Sequence, residues 1–184
     1  MPDEPLVSVV IATWNRRLDV LETIRAVYGQ EYPCFEIIVA DNASTDGTVE
    51  EIRASFPGVK LVCLPENRGA SGGRNAGMEL ARGKYILCLD SDASPEPGTV
   101  RAIVRRFEED PSIGAVNSKV LNASTRNFDA TAGWAYSEKQ KSKSGEMFFS
   151  HTFSETGCAF RRETLLKAGM FWERLFFGRE GEEL

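Results

Sequence analysis

A single histidine, His151, and four cysteines at 34, 63, 88 and 158 with no CxxC pair leave this chain without the ligand spacing of a structural zinc site. Three of the four cysteines sit inside apolar runs, and all four read as reduced, buried thiols. Long apolar runs are missing as well. Tyr85-Ile-Leu-Cys-Leu89 is typical, far short of the roughly 20 residues that a membrane-spanning helix requires. The N-terminus, Met1 to Leu6, carries acids where a secretory leader carries basic residues and then an apolar stretch, so the expected location is the cytoplasm, with at most peripheral contact to the inner face of its membrane. Asn42-Ala-Ser44 and Asn122-Ala-Ser124 fit the glycosylation pattern, which a cytosolic chain leaves unused. Positive charge is in deficit: 22 Lys and Arg against 27 Asp and Glu give a net charge of −5. That balance argues against a nucleic-acid partner or a surface built for anionic lipid.

What remains is an ordinary globular composition, 42% hydrophobic and 27% charged over 184 residues. This length supports one domain, which buries about 70% of the surface its unfolded chain exposes and needs no staple. Leu6 to Ala12 is a β-branched run bounded by Pro5 and by Thr13-Trp-Asn15, and its near-continuous hydrophobicity suits a strand covered on both faces. Leu18, Leu21, Ile24 and Val27 then recur at helical spacing up to Gly29, with Asn15 or Asp19 available as cap. A second strand is expected over Phe35 to Ala40, then turn formers from Asp41 to Gly47, then a helix opened by a capping-box spacing at Thr48-Val-Glu-Glu51. The alternation continues with strands over Val59 to Leu64 and Lys84 to Leu89 around a glycine-rich helix from Ala70 to Ala81. Val100, Ile103, Val104 and Phe107 mark a helix between Pro97 and Asp110-Pro111, and Ile113 to Leu121 reads as a further strand.

Strands alternating with helices imply an α/β, doubly wound, mainly parallel sheet with helices on both faces. After Leu121 the rhythm breaks. Asn122 to Ser150 is polar and aperiodic, either an extended loop or a small antiparallel excursion over the site, before a strand over Phe153 to Phe160 and a short helix from Arg162 closed by Gly169. Within the single domain a division is expected near residue 120, between a half over about residues 1–120 and one over about 121–184.

Ligands of open α/β sheets bind beyond the carboxyl ends of the strands, and here those ends are polar. Thr13, Asn15 and Arg16 follow the first strand, Asp41 and Asn42 the second, Glu66 to Asn75 the third, and Asp90-Ser-Asp92 the fourth. Two carboxylates on one side of an extended segment can share a hard divalent cation that bridges a diphosphate; a bare DxD is more often a turn or cap, but its place at a strand end in line with three other polar ends favours the cation. Gly69 to Gly77 is rich in small residues that let backbone approach a phosphate, flanked by Arg68 and Arg74, yet has neither GxGxxG nor a P-loop ending. The flanking arginines favour the phosphate over the alternative, that these glycines permit close helix packing. Asp41 suits a base edge or ribose, or a local cap. Glu180, Glu182 and Glu183 cluster beside Phe176-Phe177, where apolar surroundings can raise a carboxyl into the range of a general base; the alternative is a solvated acidic helix start. His151 has no evident partner.

On these residues the sequence resembles family 2 glycosyltransferases, the large inverting group with the GT-A fold. Ser8 to Arg16, Val39 to Thr48, Asn67-Arg-Gly with Gly73 to Gly77, and Leu89 to Asp92 match its successive motifs in order and spacing, and the likeness runs on through Thr156 to Arg162 and Gly169-Met-Phe171. It extends to members acting on dTDP-rhamnose or UDP-sugars. The resemblance implies sugar transfer from a nucleoside-diphosphate donor to a glycan, lipid-linked or other hydroxyl acceptor, with inversion. Carried over residue by residue, Thr13, Asn15, Asp41, Arg68, Gly69, Arg74 and Asp90 would hold the nucleotide sugar. Asp90 and Asp92 would hold magnesium or manganese, and Glu182 or Glu183 would be the base. The second acid is Glu where the family more often has Asp, and typical members continue well past this helix, so a truncated acceptor side is expected. The alternatives are a non-catalytic nucleotide-sugar-binding fragment and a sugar-phosphate nucleotidyltransferase. The latter would need a glycine-rich loop with a basic residue where this chain has Thr13-Trp-Asn-Arg16.

Overall fold

The computed structural model describes residues 4–127 and 156–173. Among them are six strands, β1 (Val7–Thr13), β2 (Phe35–Asp41), β3 (Lys60–Cys63), β4 (Tyr85–Asp90), β5 (Ala115–Asn117) and β6 (Cys158–Arg161). The helices are α1 (Arg17–Tyr28), α2 (Thr48–Ser55), α3 (Gly69–Glu79), α4 (Thr99–Glu109) and α5 (Arg162–Ala168). The sheet order is β3-β2-β1-β4-β6-β5. The four strands from β3 to β4 run parallel, and β6 is antiparallel to both β4 and β5. The mainly parallel, doubly wound sheet is therefore as expected.

Its two faces explain the unbroken apolar strands. Val7, Val9 and Ile11 of β1 and Tyr85, Leu87 and Leu89 of β4 meet α1, α2 and α4 on one side. Val10, Ile86 and Cys88 meet α3 and α5 on the other. The stripe read on α4 is buried throughout, with each of Val100, Ile103, Val104 and Phe107 contributing roughly 1.5–3 kcal/mol by leaving water. Phe107 stacks on Tyr85 with ring centroids 4.5 Å apart.

Several local expectations are overturned. Leu18 is 70% exposed, and the inward positions of α1 are Val20, Leu21, Ile24 and Val27. Neither Asn15 nor Asp19 caps that helix. Asp46 does so from the next loop, its Oδ2 accepting from Arg17 N at 3.0 Å, while its Oδ1 accepts from Thr48 N at 3.1 Å. One carboxylate thus serves two helix starts, and Thr48 stands inside α2 rather than forming a capping box. Gly47, at φ +83°, turns the chain between those bonds. Strand β5 is three residues rather than nine, and β6 begins at Cys158, with residues 153–155 of the expected strand outside the described residues. Cys88 and Cys158 are buried thiols outside any disulfide, as read, but Cys34 is half-buried and Cys63 is exposed, because β3, which carries Cys63, lies at the sheet edge. No helix among the described residues is long and apolar enough to cross a membrane.

Candidate functional site

Because β3, β2, β1 and β4 are adjacent and parallel, their carboxyl ends share one edge of the sheet, as their polar ends implied. Thr13 and Asp41 are register partners at the ends of β1 and β2. They are 3% and 2% exposed, and Thr13 Oγ1 and Asp41 Oδ1 are buried with no hydrogen-bond partner among the described residues. Asp41 spends only its other oxygen on the turn, accepting from Ser44 N at 2.9 Å. A buried polar atom without a partner costs about 1–3 kcal/mol, which makes this pair a candidate anchor for a ligand's polar groups.

Asn15 lies nearby in a different role. At φ +50°, its backbone N donates to Ser44 Oγ and its Oδ1 accepts from Thr45 N at 2.8 Å, so it ties the two loops together. Asn42 does the same between β2 and α3: its Oδ1 accepts from Arg68 N and its Nδ2 donates to Gly69 O. Gly69 has φ +71°, a conformation that lets α3 begin directly beneath the strand ends.

Gly73 and Gly77 are packing residues. A Cβ on Gly77 would lie 2.5 Å from Val10 Cγ1, and one on Gly73 would strike Asn42 Nδ2 and sit 3.2 Å from Ala12 Cβ. Close approach of α3 to the sheet, rather than room for a phosphate, is what requires them. Gly69 to Gly77, read as small residues that approach a phosphate, lie within α3. Arg74, with its side chain 4% exposed, donates from Nη2 to Asp90 Oδ1 at 2.5 Å. Arg68 pairs with Glu173 at 2.6 Å.

Asp90 ends β4, its backbone N donating to Thr156 Oγ1 of the chain leading into β6. Asp92 is not the next outward position of an extended strand. Residues 91 and 92 form a turn, held by Thr23 Oγ1 donating to Ser91 O at 2.7 Å. Asp92 is exposed and lines a cleft of about 110 Å³ with Asp19, Glu22 and Thr23. Among the described residues no cluster of three or more His, Cys, Asp or Glu could hold a metal unaided. Asp90 and Asp92 still fit a hard cation that keeps water and binds through one or two carboxylates plus substrate phosphates. Arg74 anchors one Asp90 oxygen, and the other carries no hydrogen bond among the described residues.

Glu180, Glu182, Glu183 and their flanking Phe176 and Phe177, like His151, lie outside the described residues. Asn75 and Thr156 fall in segments that carry the resemblance but were given no role, and Glu173 was not singled out by the sequence. Glu173 Oε1 accepts from Asn75 Nδ2 at 3.0 Å and its Oε2 from Arg68, and these bonds hold its carboxyl below the usual range. Asn75 stands 98 positions away, and no local signal could have paired them.

Comparison with known proteins identifies the fold and the family. The chain is 31% identical over 160 residues to the succinoglycan biosynthesis protein ExoO of Rhizobium meliloti, covering 86% of this chain and 44% of that protein. It is 37% identical over 89 residues to UDP-Glc:alpha-D-GlcNAc-diphosphoundecaprenol beta-1,3-glucosyltransferase WfaP of Escherichia coli, covering 47% of this chain and 35% of WfaP. Among solved structures it matches the mannosyltransferase PcManGT of Pyrobaculum calidifontis, in complex with GDP-Man and Mn2+, at TM-score 0.73 and 26% identity, over 94% of this chain and 49% of that one. Staphylococcus aureus TarS with UDP matches at TM-score 0.73 and 24% identity, over 92% of this chain and 51% of that one. The fold is thus that of GT-A glycosyltransferases, and the chain spans about half or less of the length of these proteins. The model of the family described as Glycosyl transferase family 2 matches residues 8–169, from the first strand to the glycine closing α5, and the chain belongs to that family.

Proposed function

We propose that this chain carries the donor-binding part of an inverting glycosyltransferase of polysaccharide or glycoconjugate synthesis. The observation that carries the reading is the buried, unpartnered pair Thr13 Oγ1 and Asp41 Oδ1 at the carboxyl edge of the sheet. A carboxylate oxygen accepts only, so Asp41 calls for an N–H or O–H, which a base edge or a ribose supplies; the Thr13 hydroxyl serves either way. A nucleoside lodged there directs its diphosphate along the edge toward Arg68, the start of α3 at Gly69, and Asp90.

Asp90 and Asp92 would hold the divalent cation, magnesium or manganese. When bound, it would stabilise the negative charge of the departing nucleoside diphosphate. Arg74 acts through Asp90, fixing that carboxylate from a buried position. Asn15 acts through the loops it joins. In the transfer itself the acceptor oxygen bonds to the anomeric carbon from the face opposite the nucleotide. The sugar–phosphate C–O bond breaks, and the acceptor proton passes to a carboxylate, which we assign to Glu183 or its neighbour Glu182. Opposite-face attack gives inversion.

The domain division follows: residues 1–120 form the nucleotide half, and the acceptor side begins near 121. WfaP is named for a lipid-diphosphate-linked acceptor, and an acceptor of that class would place the reaction at the cytoplasmic face of a membrane. The test is a thermal-shift screen with uridine, guanosine and thymidine diphosphates and their sugars, with and without manganese. One of them should raise the melting temperature of the parent, and Asp41→Ala should abolish the shift while the unliganded variant, short of the Ser44 bond, still melts cooperatively. No shift by any of them refutes the reading.

A further inference from the structure

The end of α5 folds back onto α3 in an unusual way. Gly169 and Met170 both take left-handed backbone, at φ +90° and +61°. For Met170 that conformation is costly and persists only where surrounding contacts impose it. The contacts are specific. Asn75, buried on α3, accepts from Phe171 N through Oδ1 at 3.1 Å and donates from Nδ2 to Phe171 O at 2.8 Å, gripping both backbone groups of one residue. Phe171 packs edge-on to Phe160 of β6 and lies beneath the Arg74 guanidinium. Two residues on, Glu173 closes the arrangement on Arg68. The Arg68 side chain runs over Gly72, where a Cβ would lie 2.5 Å from Arg68 Cβ, so the absence of a side chain at 72 leaves its path open.

Glu173 is a carboxylate placed beside a site read as binding a diphosphate. On charge alone it weakens such a ligand and has no evident reason to be there. Its geometry supplies one: Arg68 is otherwise an exposed, rotatable side chain, and Glu173, itself held by Asn75, restricts it to one course along α3. We propose that Glu173 is a positioning residue for donor binding, which, locked by Asn75, aims Arg68 at the phosphates of the nucleotide. This rests on the donor-site reading above and adds to it a residue from the far end of the described chain.

Coulomb repulsion and positioning predict opposite signs. Glu173→Ala removes a negative charge, which by itself would tighten an anionic ligand by a few-fold at most at a half-exposed position. Loss of aim weakens it instead, by roughly tenfold, the scale of one charged hydrogen bond lost from a site. Glu173→Gln keeps an acceptor for Arg68 or Asn75 while removing the charge, and should stay within about threefold of the parent. The experiment is calorimetric titration of the parent and both variants with uridine, guanosine and thymidine diphosphates in manganese, alongside each protein's melting temperature. Weakening in the alanine variant and rescue in the glutamine variant support the proposal. Unchanged or tighter binding by the alanine variant overturns it while leaving the donor site standing. Equal weakening in both variants overturns it, because an acceptor kept at position 173 then does not restore the aim of Arg68. A parent that binds none of the three diphosphates overturns the donor site and this inference together. Should the alanine variant be unfolded, binding by the glutamine variant at parent strength supports the proposal and weakening by tenfold refutes it.

Discussion

Glu36, at the opposite end of the sheet from the site, gives a prediction whose size can be worked out. Its side chain is nearly buried and accepts from Ser8 Oγ at 2.6 Å, Lys60 Nζ at 2.7 Å and Arg82 N at 2.9 Å. Burial alone would raise its pKa; the bonds from Lys60, Ser8 and the Arg82 backbone outweigh that and bring it from 4.5 down to about 2. Converted to free energy the shift amounts to about 3 kcal/mol, which the exposure of Lys60 and Arg82 trims to about 2–3 kcal/mol. The folded pKa lies below the unfolded one, so this stability is fully present above about pH 4.5 and drains away as pH falls toward 2. Urea unfolding of the parent and Glu36→Gln should therefore differ by about 2–3 kcal/mol at pH 7, with the gap shrinking steadily between pH 4.5 and pH 2. Other carboxylates titrate over the same range, but they cancel in the difference. A gap of the same size at pH 7 and pH 2.5 would show that the ionised form of Glu36 is not what Ser8, Lys60 and Arg82 stabilise.

Two further predictions concern the reaction. Asp92→Ala should remove the manganese-dependent part of nucleotide binding in a calorimetric titration, and binding that keeps its manganese dependence would contradict the assignment of Asp92 to the cation. Glu183→Gln should leave donor affinity nearly intact while cutting turnover by at least about 100-fold, the lower range for a general base; transfer at the parent rate would remove Glu183 from that role.

The elements that were legible beforehand are those whose information is local. The i, i+3, i+4, i+7 stripe of α4 needs only its own eleven residues, and the unbroken runs of β1 and β4 announce two covered faces before any neighbour is known. The polar clusters at Thr13, Asp41 and Asp90 were readable in the same way, since a parallel sheet brings its strand ends to one edge whatever the strand order.

Helix starts were read less well because local rules allow several donors and acceptors of nearly equal merit. Asp46 rather than Asn15 or Thr48 caps α1 and α2, since the turn at Gly47 places one carboxylate between both. The glycines of α3 look the same in a sequence whether they admit a phosphate or a sheet; only the closeness of Val10, Ala12 and Asn42 decides for the sheet.

By itself, then, the order of residues determined the type of most elements, the two-sided core and the edge at which chemistry is placed, all consequences of periodicity and chain direction. Tertiary structure alone decided that β6 runs antiparallel beside β4, that Arg74 holds Asp90, and that Glu173 reaches Arg68 across 105 positions. Such partners are chosen by which surfaces the sheet order brings within about 3 Å, the reach of a hydrogen bond, and a linear pattern does not encode that distance.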